Sequence, residues 1–167
     1  LMPDNEHIGC ALREAQPLFP ELAVRELIAN ALIHQDMTVT GAGPQIEIFH
    51  DRMEITNPGC PLIQPDRMID LPPRSRNEGL GSLMRRMGFC EEQGSGLDKV
   101  VNEVEKYQLP PPLFRGGENS TQVILYAPRS FANMTLEERV RACYQHAVLK
   151  FLSGGERMKN ATLCERF

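Results

Sequence analysis

No apolar run in this sequence approaches the ~18 residues that cross a bilayer, and no charged-then-apolar leader opens it. The sequence therefore predicts no membrane segment. Of its 167 residues, 41% are hydrophobic and 24% are charged. That composition excludes a collagen, a long coiled coil and a disordered tail. A chain of this length buries roughly 70% of its unfolded surface and needs no disulfide or metal to fold.

Paired cysteines are also missing. The five cysteines are odd in number, and none stands at C-x-x-C spacing (Cys10, Cys60, Cys90, Cys143 and Cys164). Both a disulfide framework and a thiolate zinc site are therefore disfavoured. We interpret them as thiols of a reducing compartment, which predicts a cytoplasmic protein.

An excess of positive charge is absent as well, since the formal net charge is -4. This argues against a strongly basic nucleic-acid binder. The charge is unevenly distributed, however. Residues 129–167 contain seven Lys or Arg and four Asp or Glu, which gives +3 against -7 for residues 1–128. The C-terminal part therefore differs in character from the rest of the chain.

The apolar periodicity predicts an α/β protein with strands in hairpins. Val24, Leu27, Ile28, Ala31 and Leu32 mark the buried face of a helix over residues 20–34. Alternating residues predict a hairpin over 45–56 and a second one around Gly116-Gly117. The remaining segments are a proline-containing loop over 60–77, a short helix over 78–89 and a helix over 95–107. We expect residues 1–128 to form one layered domain.

The C-terminal residues predict a separate helical segment. Residues 129–134 are typical of a linker, and Thr135 with Glu138 forms an S/T-x-x-E capping box. The helix that follows carries Val140, Cys143, Ala147 and Phe151 and is expected to end at Gly154-Gly155. A further helix is predicted to begin near Asn160. A C-terminal helix packed on the body is the alternative to a separate module.

A carboxylate and a carboxamide stand four residues apart on the first helix. Glu26 and Asn30 therefore share one helical strip, which His34 continues. A carboxamide oxygen is a hard, neutral ligand for Mg²⁺, and a carboxylate can accept a proton from an attacking water. The alternative is that both are solvated residues on the flank of the helix.

Two glycine-containing segments complete the pattern. Gly94-Ser95-Gly96 directly precedes a helix, where backbone N–H groups and the helix dipole favour an anion. The plain alternative is a loop with Ser95 as the helix cap. Asn57-Pro58-Gly59 places an amide where a strand ends, and its alternative is an ordinary turn.

In this order, the segments resemble the GHKL ATPase superfamily, which includes gyrase B, the heat-shock chaperones, histidine kinases and MutL. More narrowly, they resemble the divergent branch related to RecG helicase and to Schlafen AlbA-like transcriptional regulators. The resemblance covers about residues 10–127. It is carried by Arg25 to Asp36, Glu54 to Gly59, Ser75-Arg76-Asn77 and Gly88 to Leu97.

The resemblance implies a two-layer α+β sandwich with a mixed sheet and with the helices on one face. It also implies an ATP and Mg²⁺ site. Glu26 resembles the general base, and Asn30 resembles the metal ligand. Asn57 stands where the superfamily has the aspartate that reads the adenine amino group, and Gly59 resembles the first glycine after it. Gly94 and Gly96 resemble the phosphate-facing glycines, and Ser95 between them would also belong to the nucleotide site. Arg76 would meet phosphate too, or else belong to a solvated rim, and residues 60–77 would be a lid.

Two positions depart from the superfamily pattern. The expected D-x-G-x-G is Asn57-Pro58-Gly59-Cys60-Pro61 here, so a neutral amide replaces the carboxylate and a proline replaces the second glycine. An amide oxygen can still accept a hydrogen bond from the adenine amino group, but without the charge assistance that a carboxylate provides. The sequence also lacks the G-x-x-x-x-G-K-[ST] phosphate loop of a motor helicase. This chain by itself is therefore not expected to unwind DNA.

Three functions follow from the resemblance. The first is an ATP-binding, weakly hydrolysing domain of a RecG-related, DNA-binding transcriptional regulator. In that function residues 135–167 would form the first part of a winged helix-turn-helix that faces DNA. The second is a non-enzymatic regulatory or dimerisation module with a degenerate nucleotide site. The third is a helicase accessory domain. The resemblance leaves a homo-oligomer open.

Overall fold

The strands form two sheets in the computed structural model, which describes residues 4–7, 14–90 and 96–167. A small antiparallel pair joins β1 (Asp4–His7) to β2 (Glu14–Pro17). The main sheet contains β3 (Gln45–Ile48), β4 (Arg52–Pro58), β5 (Leu113–Gly116) and β6 (Ser120–Tyr126). Its strand order is β3-β4-β6-β5, and both predicted hairpins are confirmed.

Two helices cover one face of the main sheet. These are α1 (Glu21–His34) and α3 (Gly96–Lys106), and α2 (Glu78–Arg86) packs beside α1. On β4, burial alternates, so that Met53 and Ile55 face the helices. Both join one core with residues of α1, α3 and β6 (Val24, Leu27, Ala31, Val100, Val101, Val104 and Leu125). The two-layer α+β class, with α1 and α3 on the same face, is confirmed.

The sheet differs from the expected mixed sheet in one respect. All strand pairings in the described part of the chain are antiparallel. The reason is the connectivity: β3–β4 and β5–β6 are hairpins, whose strands must run in opposite directions. The chain leaves β4, passes through α2 and α3, and returns so that β6 lies antiparallel to β4.

The C-terminal helices begin and end close to the predicted residues. They are α4 (Leu136–Gly154) and α5 (Asn160–Arg166). The capping box is present, because the Glu138 amide donates to Thr135 Oγ1 and the Thr135 amide donates to Glu138 Oε2. Gly155 follows α4 with a φ of 70°, the left-handed conformation that commonly ends a helix.

The buried side of α4 is not the apolar side that the sequence predicted. Val140 and Phe151 are 60% and 67% exposed, whereas Gln145 and His146 are each 4% exposed. The polar pair is buried because the body of the protein offers it partners. Gln145 Nε2 donates to Pro112 O, and His146 Nδ1 lies 2.9 Å from Glu105 Oε2. Among the described residues, no helix is long and apolar enough to cross a membrane.

The loop over residues 60–77 lies against the core. It contains one short 3₁₀ turn, Pro65–Arg67, and Ile69 is 5% exposed within the main core cluster. At its end, Asn77 Nδ2 donates to the carbonyls of Ile33 and Gln35, both at 2.8 Å. These contacts fix the middle and the end of the loop, while most of the remaining side chains are partly or fully exposed.

Candidate functional site

A cavity of about 180 Å³ lies between α1, the end of β4, the loop over 60–77 and the beginning of α3. The charged and polar side chains on its wall come from three helices, two strands and the loop. Those from the helices and from the two central strands are Glu26, Asn30, His34, Asn57, Arg85, Asp98 and Thr121. The loop adds Arg74 and Ser75 to the wall.

The first turn of α3 contacts the predicted catalytic pair. A Cβ placed on Gly96 would lie 3.0 Å from Glu26 Oε2 and 3.6 Å from Asn30 Nδ2. Glu26 is only 2% exposed, so its carboxylate is held inside the protein. The positive end of the α3 dipole favours a negative charge at this place. The structure thus brings together Glu26, Asn30 and Gly96, and Gly96 leaves room for the two side chains.

Gly94 and Ser95 belong to residues 91–95, which lie outside the described residues. Their predicted contact with phosphate therefore stays a prediction.

Asn57, at the end of β4, also lines the cavity and is 6% exposed. Its Nδ2 donates to the carbonyl oxygen of Pro58 at 3.3 Å. This bond orients the amide, because a carbonyl can only accept. On the neighbouring strand Thr121 pairs with Asn57 in register, and Thr121 Oγ1 donates to Gly59 O at 2.8 Å. A hydroxyl and an amide therefore stand side by side at this end.

Gly59 and Arg76 contact each other at the edge of the site, but neither is part of the cavity wall. Gly59 has a φ of 103°, and a Cβ there would lie 1.8 Å from Arg76 Nη1. Arg76 Nη2 donates to Cys60 O at 2.8 Å, and Nη1 lies 3.8 Å from Asp36 Oδ2. In this arrangement Arg76 joins the end of the loop to its beginning.

Pro61 occupies the position of the second glycine of the superfamily pattern. Its ring packs on β5, where a Cβ added to Gly116 would lie 2.9 Å from Pro61 Cγ. The proline therefore fastens the start of the loop to the sheet. This contact gives the departure from the pattern a structural reason that is independent of any ligand.

Two wall residues were missed by the sequence analysis. Asp98, in the first turn of α3, adds a second carboxylate, and burial raises its pKa. Its place just after Gly96 was the available signal. Thr121 could be identified only from the register of β4 against β6. For His34, which the sequence did place on the strip, burial lowers the pKa, and the nearby Arg76 lowers it further.

The donor set fits a hard cation that also binds a ligand. Glu26 and Asn30 offer oxygen atoms, which Mg²⁺ prefers. In the described part of the chain, no three His, Cys, Asp or Glu side chains converge on a common point. A Mg²⁺ ion held by Asn30 would therefore take further oxygens from a phosphate or from water.

Comparisons with known proteins agree with this fold. The chain superposes on the crystal structure of the DIP2311 protein from Corynebacterium diphtheriae with a TM-score of 0.67 at 20% identity. The match covers 98% of this chain and 35% of that one, so the chain spans about a third of the length of this structural relative. At this identity the likeness concerns the fold alone. No curated protein sequence matches the chain.

A family model matches residues 41–125, half of the chain, and its description is "Putative ATP-dependent DNA helicase recG C-terminal". The matched range includes the hairpin that ends in Asn57-Pro58-Gly59, the loop, and α3 with both strands that follow it. It begins after α1, so Glu26 and Asn30 are tied to the site by the geometry alone. The chain belongs to this RecG-related family of ATPase-like domains.

Proposed function

We propose that the cavity binds ATP with Mg²⁺ and that the chain is the nucleotide-binding part of a DNA-binding transcriptional regulator. One observation carries the proposal. Glu26, Asn30 and the first turn of α3 meet on the wall of a cavity that is also lined by the buried amide of Asn57. The proposal assigns the phosphates to Glu26, Asn30 and α3, the phosphate end, and the base to Asn57, the base end.

Three of the polar wall residues have a proposed role that their chemistry supports. Asn30 Oδ1 would hold the metal ion, and the ion would neutralise phosphate charge. Glu26 would accept the proton of a water that attacks the terminal phosphate. The amide N–H groups at the start of α3 favour the phosphates. Asn57 Oδ1 would accept a hydrogen bond from the exocyclic amino group of adenine.

The size of the cavity implies that the loop moves. Pockets for drug-sized ligands usually enclose about 300–1,000 Å³, and this cavity measures about 180 Å³. A nucleotide therefore needs the side chains of the loop over 60–77 to withdraw. Leu62, Ile63 and Arg74 line the cavity from this loop. We propose that the loop is the lid of the site.

The C-terminal part supports the proposed contact with DNA by its charge. Residues 129–167 carry a net charge of +3, and Arg157 and Lys159 are exposed between α4 and α5. Phosphate contacts of this kind weaken steeply with salt. Fluorescence anisotropy with duplex DNA at 50 and 200 mM salt tests this part. Equal affinity at both concentrations, or no binding at either, would exclude the contact.

A non-enzymatic module with a degenerate site is the second candidate. The observation that favours it is the pair Asn57 and Pro61, which removes a charge from the base end and a glycine from the loop. In that case the fold serves regulation or dimerisation without nucleotide chemistry. A helicase accessory domain is a further alternative, since the family description names a helicase.

Isothermal titration separates these candidates. Wild type should bind Mg-ATP in preference to Mg-GTP, and Asn30→Ala should abolish the part of the binding that depends on magnesium. Asn102→Ala, on the exposed side of α3, is the matched control. Glu26→Gln should bind nucleotide but lose roughly 10²–10⁴-fold in hydrolysis rate, whereas Glu21→Gln at the exposed start of α1 should lose none.

Asn57→Asp decides between a weak site and a degenerate one. A carboxylate forms charge-assisted hydrogen bonds that are roughly twice as strong as neutral ones, so this variant should bind ATP more tightly relative to GTP. If wild type and Asn57→Asp both fail to bind millimolar Mg-ATP, the nucleotide proposal is wrong and the non-enzymatic module remains.

A further inference from the structure

The helix α3 connects the cavity to the C-terminal helices. Its first turn supplies Gly96 and Asp98 to the cavity wall, and Glu105 lies near its other end. Eleven residues of helix span about 16 Å. Between these ends, Val100, Val101 and Val104 are at most 1% exposed in the main core. A helix packed this closely moves as a unit.

The Glu105 carboxylate contacts both C-terminal helices. Its Oε2 lies 2.9 Å from Nδ1 of His146 on α4, and its Oε1 lies 3.6 Å from Nε of Arg166 on α5. The segment that follows α3 is held by the same two helices. Gln145 donates to Pro112 O, and Arg166 Nη2 donates to Leu109 O. Four polar contacts therefore tie the far end of α3 and the segment after it to α4 and α5, beside the apolar packing of Leu149 of α4 in the main core.

Arg166 is the only buried residue of α5. It is 4% exposed, and its Nε and Nη1 have no hydrogen-bond partner among the described residues. Burial lowers its pKa, and the nearby Glu105 opposes that effect. A guanidinium buried with incomplete hydrogen bonding is costly. The docking of α5 therefore depends on the contacts that offset this cost, namely those of Arg166 with Glu105 and with Leu109 O.

We propose that Glu105 and Arg166 form a latch that releases α5 when a nucleotide enters the cavity. The inference rests on the proposed function of the cavity. In the present structure the cavity is too small for a nucleotide, and α5 is docked. Entry of the ligand moves the loop over 60–77 away and also displaces the first turn of α3, which lies on the same wall. The helix carries Glu105 with it, and the 3.6 Å contact with Arg166 is lost. Whether α5 is docked therefore depends on whether the cavity holds a nucleotide.

Reciprocity gives the latch a second consequence. If ligand binding favours the released state, then a variant that is already released must bind the ligand more tightly by the same factor. Arg166 is not part of the cavity wall. A tighter affinity for Mg-ATP in Arg166→Gln would therefore be an effect of the latch on the site.

Hydrogen exchange over residues 160–167 tests the latch in the full chain. Without nucleotide, Glu105→Gln and Arg166→Gln should each exchange roughly tenfold faster than wild type in this segment, because each breaks a buried ion pair. Glu103→Gln is the matched control, since Glu103 lies on the same helix and pairs with Lys106. Saturating Mg-ATP should raise the exchange rate over residues 160–167 in wild type and in Glu103→Gln. It should not raise the rate further in Glu105→Gln and Arg166→Gln.

Titration of the same samples distinguishes the two proposals. If Mg-ATP binds wild type while exchange over 160–167 stays unchanged, the latch is wrong and the nucleotide site stands. If Glu105→Gln and Arg166→Gln both exchange like Glu103→Gln, the latch is wrong whatever binds. If wild type binds no Mg-ATP, the proposed function fails and the ligand-driven release fails with it. Arg166→Gln, on α5, keeps the test valid should Glu105→Gln fail to fold.

Discussion

Substitution of Gly59 by alanine measures how much this glycine contributes to the free energy of unfolding. The backbone at Gly59 has a φ of 103°, and a Cβ would lie 1.8 Å from Arg76 Nη1. An L-residue in the left-handed region costs about 1–2 kcal/mol. The guanidinium must also move, which breaks its hydrogen bond to Cys60 O. Such bonds to charged groups contribute about 1.5–3 kcal/mol, and the Arg76 side chain, which is 20% exposed, recovers part of this from water.

The two effects together predict a loss of about 3 kcal/mol in the free energy of unfolding. For a chain of this size, 1 kcal/mol corresponds to a fall of about 2–4 °C in Tm, so Gly59→Ala should melt roughly 6–12 °C below wild type. Gly41 supplies a matched control. Its φ is 78°, and nothing lies within 4 Å of an added Cβ. Gly41→Ala should therefore lose only the left-handed cost, about 2–8 °C.

A double-mutant cycle with Arg76→Ala isolates the steric part. Without the guanidinium, the methyl group at position 59 has room, so the double variant should lose about 1–2 kcal/mol less than the sum of the two single losses. Thermal unfolding followed by circular dichroism gives all four values. Strict additivity, or a Gly59→Ala that melts with Gly41→Ala, would refute the contact between Gly59 and Arg76.

Three further changes test other parts of the structure by thermal unfolding. Because burial raises the pKa of Asp98, its ionised form destabilises the native state at neutral pH. Asp98→Asn should therefore raise Tm at pH 7, and the gain should disappear as the pH falls through the range in which aspartates protonate. A gain in Tm that is constant with pH would contradict this. Asn77→Ala removes two hydrogen bonds to the end of α1 and should lose about 1–3 kcal/mol, whereas the exposed Asn133→Ala should lose almost nothing. Thr135→Ala removes the cap of α4 and should cost about 1 kcal/mol; a Tm equal to that of wild type would show that α4 begins elsewhere.

The elements were predictable wherever apolar spacing decides the structure. The helix over residues 20–34 and both hairpins of the main sheet follow from repeats of three, four or two residues. The antiparallel pair β1–β2 gave no such signal, because its first strand, Asp4–His7, is entirely polar. The buried side of α4 could not be predicted from spacing either. Gln145 and His146 are buried because they bind partners that lie 33 and 41 residues away in the chain.

The site was predictable in part for the same reason. The spacing of Glu26 and Asn30 is local, and the helix places both on one strip. The position of Arg76 is not local. Its place in a cluster of arginines near the site suggested a phosphate contact, but the fold of the loop places it against Gly59 and Cys60. Contacts that depend on how a long loop folds back cannot be read from residue type and spacing.

The contact between Asn57 and Pro58 explains why an amide suits this position better than a carboxylate. Asn57 Nδ2 donates to Pro58 O inside the protein. An aspartate there would bring a carboxylate oxygen against a carbonyl oxygen in a place that is 6% exposed, where an unpaired charge is costly. Asn57→Asp should therefore lower Tm in the absence of nucleotide, even though it would strengthen the proposed hydrogen bond to adenine. The neutral amide keeps its hydrogen bond to Pro58 O, and it would bind adenine more weakly than a carboxylate.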